Sequence, residues 1–180
     1  MSDAFINEIQ ELEGLSDEDR RLLADMRPAL EEHGPALVDT FYEQLERFEH
    51  LREILHAKPG RIEALKGHLL RWLVGLSKGQ YGKNYFEERY RIGKRHVEVG
   101  LEPRYVIAAM AFCRATAADT IVEKAYGDAP DKEARIKALN KIMDLDLNIM
   151  LESYEDHRVP QFLEVTGFNR GLFEHLMAGE

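Results

Sequence analysis

One cysteine, Cys113, occurs in the 180 residues. An internal disulfide is therefore excluded, which fits a reducing compartment. Basic charge is also scarce: 24 Lys and Arg stand against 33 Asp and Glu, for a formal net charge of −9 and a pI near 5.3. Nucleic acid and anionic membranes need a basic face, so neither is expected as a main partner. No run approaches the ~18 consecutive apolar residues of a membrane span. The acidic N-terminus lacks the basic and apolar segments of a secretory signal. There is no Cys-x-x-Cys pair, glycine-rich phosphate loop or nucleophilic triad, and so no sign of the enzymes built on them. Period-two alternation is missing too. The expectation is a soluble, cytoplasmic, non-enzymatic domain, its 44% apolar residues enough for one core.

What is present is helical spacing from end to end. Phe5, Ile6, Ile9 and Leu12 share one face of a short helix that should end near Gly14. Ser16, followed by Asp17, Glu18 and Asp19, reads as an N-cap with an acidic first turn. The next helix should bend at Pro28 and restart at Gly34-Pro35, carrying Leu37, Val38, Phe41, Tyr42 and Leu45. A turn or two over 48–58 precedes a helix with Ile62, Leu65, His68, Leu69, Trp72, Leu73 and Leu76. Helices then follow at about 85–99, 103–126 and 131–157. The domain is placed at 1–157. Residues 158–180 form an apolar tail (Leu163, Val165, Phe168, Leu172, Phe173, Leu176), either packed back on the core or serving as a dimer contact or connector to an output domain.

The stretch Arg91–Val106 carries the functional signal. Gly100 suits the left-handed residue of a helix stop, and Pro103 suits the first turn of the next helix. His96 lies one turn before Gly100 and one turn after Ile92, with Gly93 beside it, so it shares a face with apolar and glycine positions. On these residues alone two readings stand. His96 is a core histidine satisfied by backbone or water, or it is a metal or haem ligand with Gly93 admitting a flat group.

The order Ile92-Gly93, His96, Gly100-Leu101, Pro103, Tyr105 resembles the haem-binding core of the globin-coupled sensors. Phe41-Tyr42 resembles that family's distal aromatic pair. The run from Gly79-Gln80-Tyr81 to Tyr85 and Arg89 resembles the lead into its proximal helix. Roughly residues 15–157 can be laid onto the family. The implied fold is all-α, a globin fold with an extra N-terminal helix and no separate D helix. The implied cofactor is haem b, with His96 as the proximal iron ligand. Tyr42, Phe41, Leu65, His68, Leu69, Ile92, Gly93, Val99 and Tyr105 are the implied cofactor-binding residues. The implied ligand is oxygen or another diatomic gas (carbon monoxide, nitric oxide). The resemblance also implies a homodimer through 103–126 and 131–157, where Ala108, Ala109, Ala115, Ala117 and Ala118 would permit close approach. A C-terminal transmitter domain is the implied output.

Tyr42 would donate its phenolic proton to bound oxygen; the plainer alternative is a core aromatic tied to backbone. His68, on the apolar face, departs from the family's small or apolar residues there. It would be a sixth iron ligand, a hydrogen-bond donor to the gas, or a residue at the pocket edge. Trp72 and Phe112 read as core. Asp144/Asp146 and Glu152/Asp156 read as the solvent face of their helix. Two other functions compete with the sensor: a haem enzyme acting on nitric oxide or peroxide, and a haem-free globin-like dimerisation module.

Overall fold

A computed structural model describes residues 3–167 and 169–178, and every regular element among them is helical. These are α1 (Asp3–Leu12), α2 (Asp17–Asp25), α3 (Arg27–Glu46), α4 (Glu49–Leu55), α5 (Arg61–Gly75), α6 (Lys83–Glu98), α7 (Pro103–Ala117), α8 (Glu123–Tyr126), α9 (Lys132–Thr166) and α10 (Arg170–Ala178). A 3₁₀ turn, Leu76–Lys78, extends α5, and a π-helical turn, Ala118–Val122, joins α7 to α8. The all-α expectation holds. α1 precedes the rest, and α5 follows α4 with no further helix between them.

Local chemistry explains most boundaries. Ser16 caps α2 reciprocally: the Asp19 N–H donates to Ser16 Oγ at 3.1 Å, and the Ser16 N–H donates to Asp19 Oδ2 at 2.8 Å. Gly14 takes φ 66°, the left-handed stop that ends α1. The break expected at Gly34-Pro35 lies instead at Met26, and Pro28 opens α3 from its first turn. Pro35 sits inside α3, exposed, where the Glu31 carbonyl it cannot bond is also on an exposed residue and can reach water. Pro160 is likewise interior: α9 passes through it, and through the boundary expected at 157, to Thr166.

The layers follow from the apolar faces. α3 packs between α5 and α7, and Gly34 lets α5 approach so closely that a methyl there would meet Leu70 at 2.8 Å. α6 lies across α9, which supplies Ile142, Met143, Leu145, Ile149 and Met150 to the core. The stretch Pro103–Tyr126 is, by length and composition, apolar enough to cross a membrane (mean hydropathy 1.4), contrary to the sequence reading. Its inner residues Val106, Met110, Cys113, Ile121 and Val122 are core, as in a buried helix of a globular bundle. Of the tail, Val165, Leu172 and Leu176 are exposed, and Phe168 lies outside the described residues.

Candidate functional site

The stop after α6 is a paired-bond cap. Gly100 takes φ 73°; its N–H donates to the Val97 carbonyl at 2.9 Å, and the Leu101 N–H donates to the His96 carbonyl at 3.0 Å. These two bonds define a Schellman motif, and they pin the backbone of His96 itself. The His96 ring is half-buried, and its Nδ1 is fully enclosed with no hydrogen-bond partner. Burial holds its pKa below the ordinary histidine value. The Ile92 carbonyl, one turn back, pulls weakly the other way without making a well-aligned bond. The imidazole is therefore neutral near pH 7, the form that binds metal.

Gly93 plays a different part from the one its spacing suggested. A methyl group at this position would stand 2.5 Å from the Met150 carbonyl oxygen and 2.7 Å from its Cα, and would also collide with Ser153 Oγ. The missing side chain admits the backbone of α9, not a flat ligand.

Across the core, Phe41 and Tyr42 meet edge-on at 5.2 Å, and Phe41 reaches Phe112 of α7 at 6.5 Å. Tyr42 is 7% exposed, and no hydrogen bond is made by its hydroxyl. The alternative of a phenol tied to backbone does not apply. Burial, then proximity to Cys113, drives the phenol's pKa well above its usual value, so it stays protonated and can donate. Cys113 is also buried, its thiol pushed up to about 12, and offers no thiolate. Leu65, Leu69 and Ile92 are half-buried against the same core.

Other expected contacts lie apart from this group. His68 is exposed: the slot expected to face inward is the margin of the α5 apolar arc, and the buried positions are Trp72 and Leu73. Val99 is 40% exposed at the end of α6. Tyr105 is half-buried in the first turn of α7, its ring 4.8 Å from that of His50 on α4. Two open surface grooves, of about 480 and 430 Å³, are lined by polar and charged side chains that include neither His96 nor Tyr42.

One cluster escaped the sequence reading. Asp146 is wholly buried, not part of a solvent face, and accepts from Arg89 Nε and Trp72 Nε1 at 2.7 Å each and from the Tyr85 hydroxyl at 2.6 Å. Arg89 also lies over the Tyr85 ring at 4.2 Å. Burial lifts the Asp146 carboxyl above its usual range, opposed by Arg89 and by the Tyr85 and Trp72 bonds. Burial likewise works against the Arg89 charge, but Asp146 and Tyr85 outweigh it and leave the guanidinium more firmly protonated than usual. With three donors converging on it, the carboxylate is ionised near neutral pH. The signal was available: Asp146 stands one turn after Ile142 and one turn before Met150, inside the apolar row.

The Protoglobin family model matches residues 2–159. The chain belongs to the Protoglobin family. It is also similar to the haem-based aerotactic transducer HemAT of Halobacterium salinarum, 30% identical over 151 residues, which cover 79% of this chain and 31% of the transducer. The chain thus spans about a third of that relative's length. Among solved structures it resembles the globin domain of a Geobacter sulfurreducens globin-coupled sensor, with TM-score 0.76 and 32% identity, covering 83% of this chain and 97% of the other. The globin-coupled sensor resemblance and the globin fold therefore stand.

As a protoglobin, the chain has residues that fit haem. His96 presents a neutral ring whose buried Nδ1 lacks any protein partner. Tyr42 presents a free donor inside the core. Leu65, Leu69, Ile92 and Phe112 are half-buried apolar side chains packed against the core on α5, α6 and α7. No group of three His, Cys, Asp or Glu side chains able to hold a metal ion occurs among the described residues.

Proposed function

We propose that the chain is the sensing domain of a haem-based diatomic-gas receptor, binding one haem b per chain through His96 and sensing oxygen, carbon monoxide or nitric oxide on the Tyr42 side. The observation that carries this reading is a half-buried, neutral imidazole on α6 whose enclosed Nδ1 has no partner, together with a buried phenol on α3 that has no hydrogen-bond partner. When bound, haem supplies an iron that holds a diatomic gas reversibly. His96 anchors the group, and Phe41, Leu65, Leu69 and Ile92 keep water away. Tyr42 would offer its protonated hydroxyl as a hydrogen-bond donor to a gas held on that side. His68, exposed at the margin of α5, stays out of the iron's coordination in this arrangement.

Absorption spectra of the purified protein, with and without oxygen and carbon monoxide, test the reading. A haem-free chain that cannot be reconstituted rules it out. Tyr42→Phe speeds oxygen dissociation by about 5–150-fold, since a hydrogen bond to a charged acceptor contributes roughly 1–3 kcal/mol. Carbon monoxide, whose bound oxygen atom accepts poorly, responds far less. Stopped-flow rates that rise equally for both gases would assign Tyr42 to packing or access.

The two sensor relatives support output through a transmitter domain; a homodimer is proposed with it, its interface the outer face of α7 with α9. Ile107, Ala108, Ala111 and Ala115 form an exposed row on α7. Ala117 is core, as is the α9 stripe from Ile142 to Met150, so the apolar side chains α9 can offer include half-buried Ile136, Leu147 and Leu151. Sedimentation equilibrium is expected to give a dimer at micromolar concentration, and Ala111→Arg a monomer. A wild-type monomer would remove this interface and the output model with it.

A further inference from the structure

α9 grips α6 at three points, and the points bracket His96. Two turns before it, roughly 10 Å along the helix, Arg89 is bound to Asp146. One turn before it, Gly93 lies against the Met150 backbone and Ser153. Beyond it, the Tyr154 hydroxyl donates to the Leu101 carbonyl at 2.7 Å. Leu101 is the same residue whose N–H is bound to the His96 carbonyl. The contacts keep one order on both sides: 89, 93 and 101 meet 146, 150 and 154. Arg89, Gly93 and His96 also share a face of α6, within an arc of roughly 60° at 3.6 residues per turn.

We infer that Asp146 and Tyr154, with the Gly93–Met150 contact between them, are positioning residues for His96: α9 sets the height and tilt of the imidazole and hence the strength of its bond to iron. The inference rests on His96 being the haem ligand. Its physical basis is that a ligand's orientation is set by what holds its backbone and outer shell. Here the Nδ1 atom has no partner to orient the ring, so that task falls to the helix. Each grip resists a different displacement. The ion pair resists sliding along α9, the glycine contact fixes the separation of the two helices, and the Tyr154 bond holds the turn after the helix. The coupling is reciprocal: a movement of His96 that loads these contacts is delivered to α9, the helix proposed to face a second subunit.

The test is the iron–imidazole stretching band of the ferrous, haem-loaded protein, read by resonance Raman, with thermal melts in parallel. Tyr154→Phe removes the hydrogen bond to Leu101 without changing shape, and Gly93→Ala pushes α6 off α9. Leu23→Ala, at a fully buried position on α2, lowers stability while leaving the three grips intact. Tyr154→Phe and Gly93→Ala are expected to retain one haem per chain and to shift the band, whereas Leu23→Ala melts earlier with the band unmoved. If Gly93→Ala does not fold, Tyr154→Phe alone decides. An unshifted band in the haem-loaded variants, or an equal shift in Leu23→Ala, overturns the inference and leaves the haem reading intact. A wild type that binds haem without this band overturns both.

Discussion

Replacing His96 by alanine abolishes haem uptake, or weakens it by more than the roughly 10–100-fold that loss of an outer-shell partner costs a metal site. The ferrous spectrum of a five-coordinate histidine-bound haem disappears with it. The size of the effect follows from the donor set. Cys113 keeps its proton, its thiol pushed up to about 12. His68 is exposed, and no metal-binding group of three donors forms among the described residues. Tyr42 also stays protonated near neutral pH, because burial drives its pKa up, and a phenol is a poor substitute for imidazole. The ring is presented ready to bind. Burial disfavours the protonated form, and the Schellman bonds fix the backbone that carries it. The measurement is the haem-to-protein ratio after reconstitution, with the ferrous spectrum of whatever haem remains. Full uptake with an unchanged spectrum would assign the iron to another residue. Adding free imidazole to the variant should restore the spectrum if the cavity persists.

How much of this could be read in the sequence depended on whether the signal was local. The stop at Gly100, the restart at Pro103 and the cap at Ser16 were legible because each is a rule about a few neighbouring residues, and all three are observed. Pro35, read as a restart, and the helix end expected at 157, which α9 passes on its way through Pro160, were misread for the complementary reason. A proline on an exposed helix face loses one bond at the surface, where water compensates, and flanking turns can carry the helix through. Gly93 shows a subtler limit. The sequence marked a close approach without saying what approaches, and the answer is the α9 backbone. His68 lay within one residue step of the buried arc, where periodicity cannot separate wall from margin. Asp146 failed because charge was taken as a sign of solvent. Only the partners Arg89, Tyr85 and Trp72, brought from two other helices, make its burial tolerable.

Asp146→Ala is expected to destabilise the fold by about 3–5 kcal/mol, the cost of breaking a buried ion pair from one side. Three groups lose their acceptor together. Arg89, 3% exposed, keeps a charge whose one remaining carboxylate, Glu88, stands 3.8 Å away on a half-exposed side chain, and the Tyr85 hydroxyl and Trp72 N–H are left unbonded in the core. For a chain of this size each kcal/mol moves the midpoint by about 2–4 °C, so a fall on the order of 10 °C is expected in a thermal melt. Most of the damage comes from the guanidinium left buried with only the distant Glu88 carboxylate, and less from the missing attraction. The double variant Asp146→Leu with Arg89→Met, which removes both charges and fills the space with apolar groups, should therefore recover much of the loss. A single variant that melts within 2 °C or so of wild type would mean that water reaches Arg89 when Asp146 is gone. A double variant no better than the sum of the two single ones would show that the cluster acts through shape and not through charge.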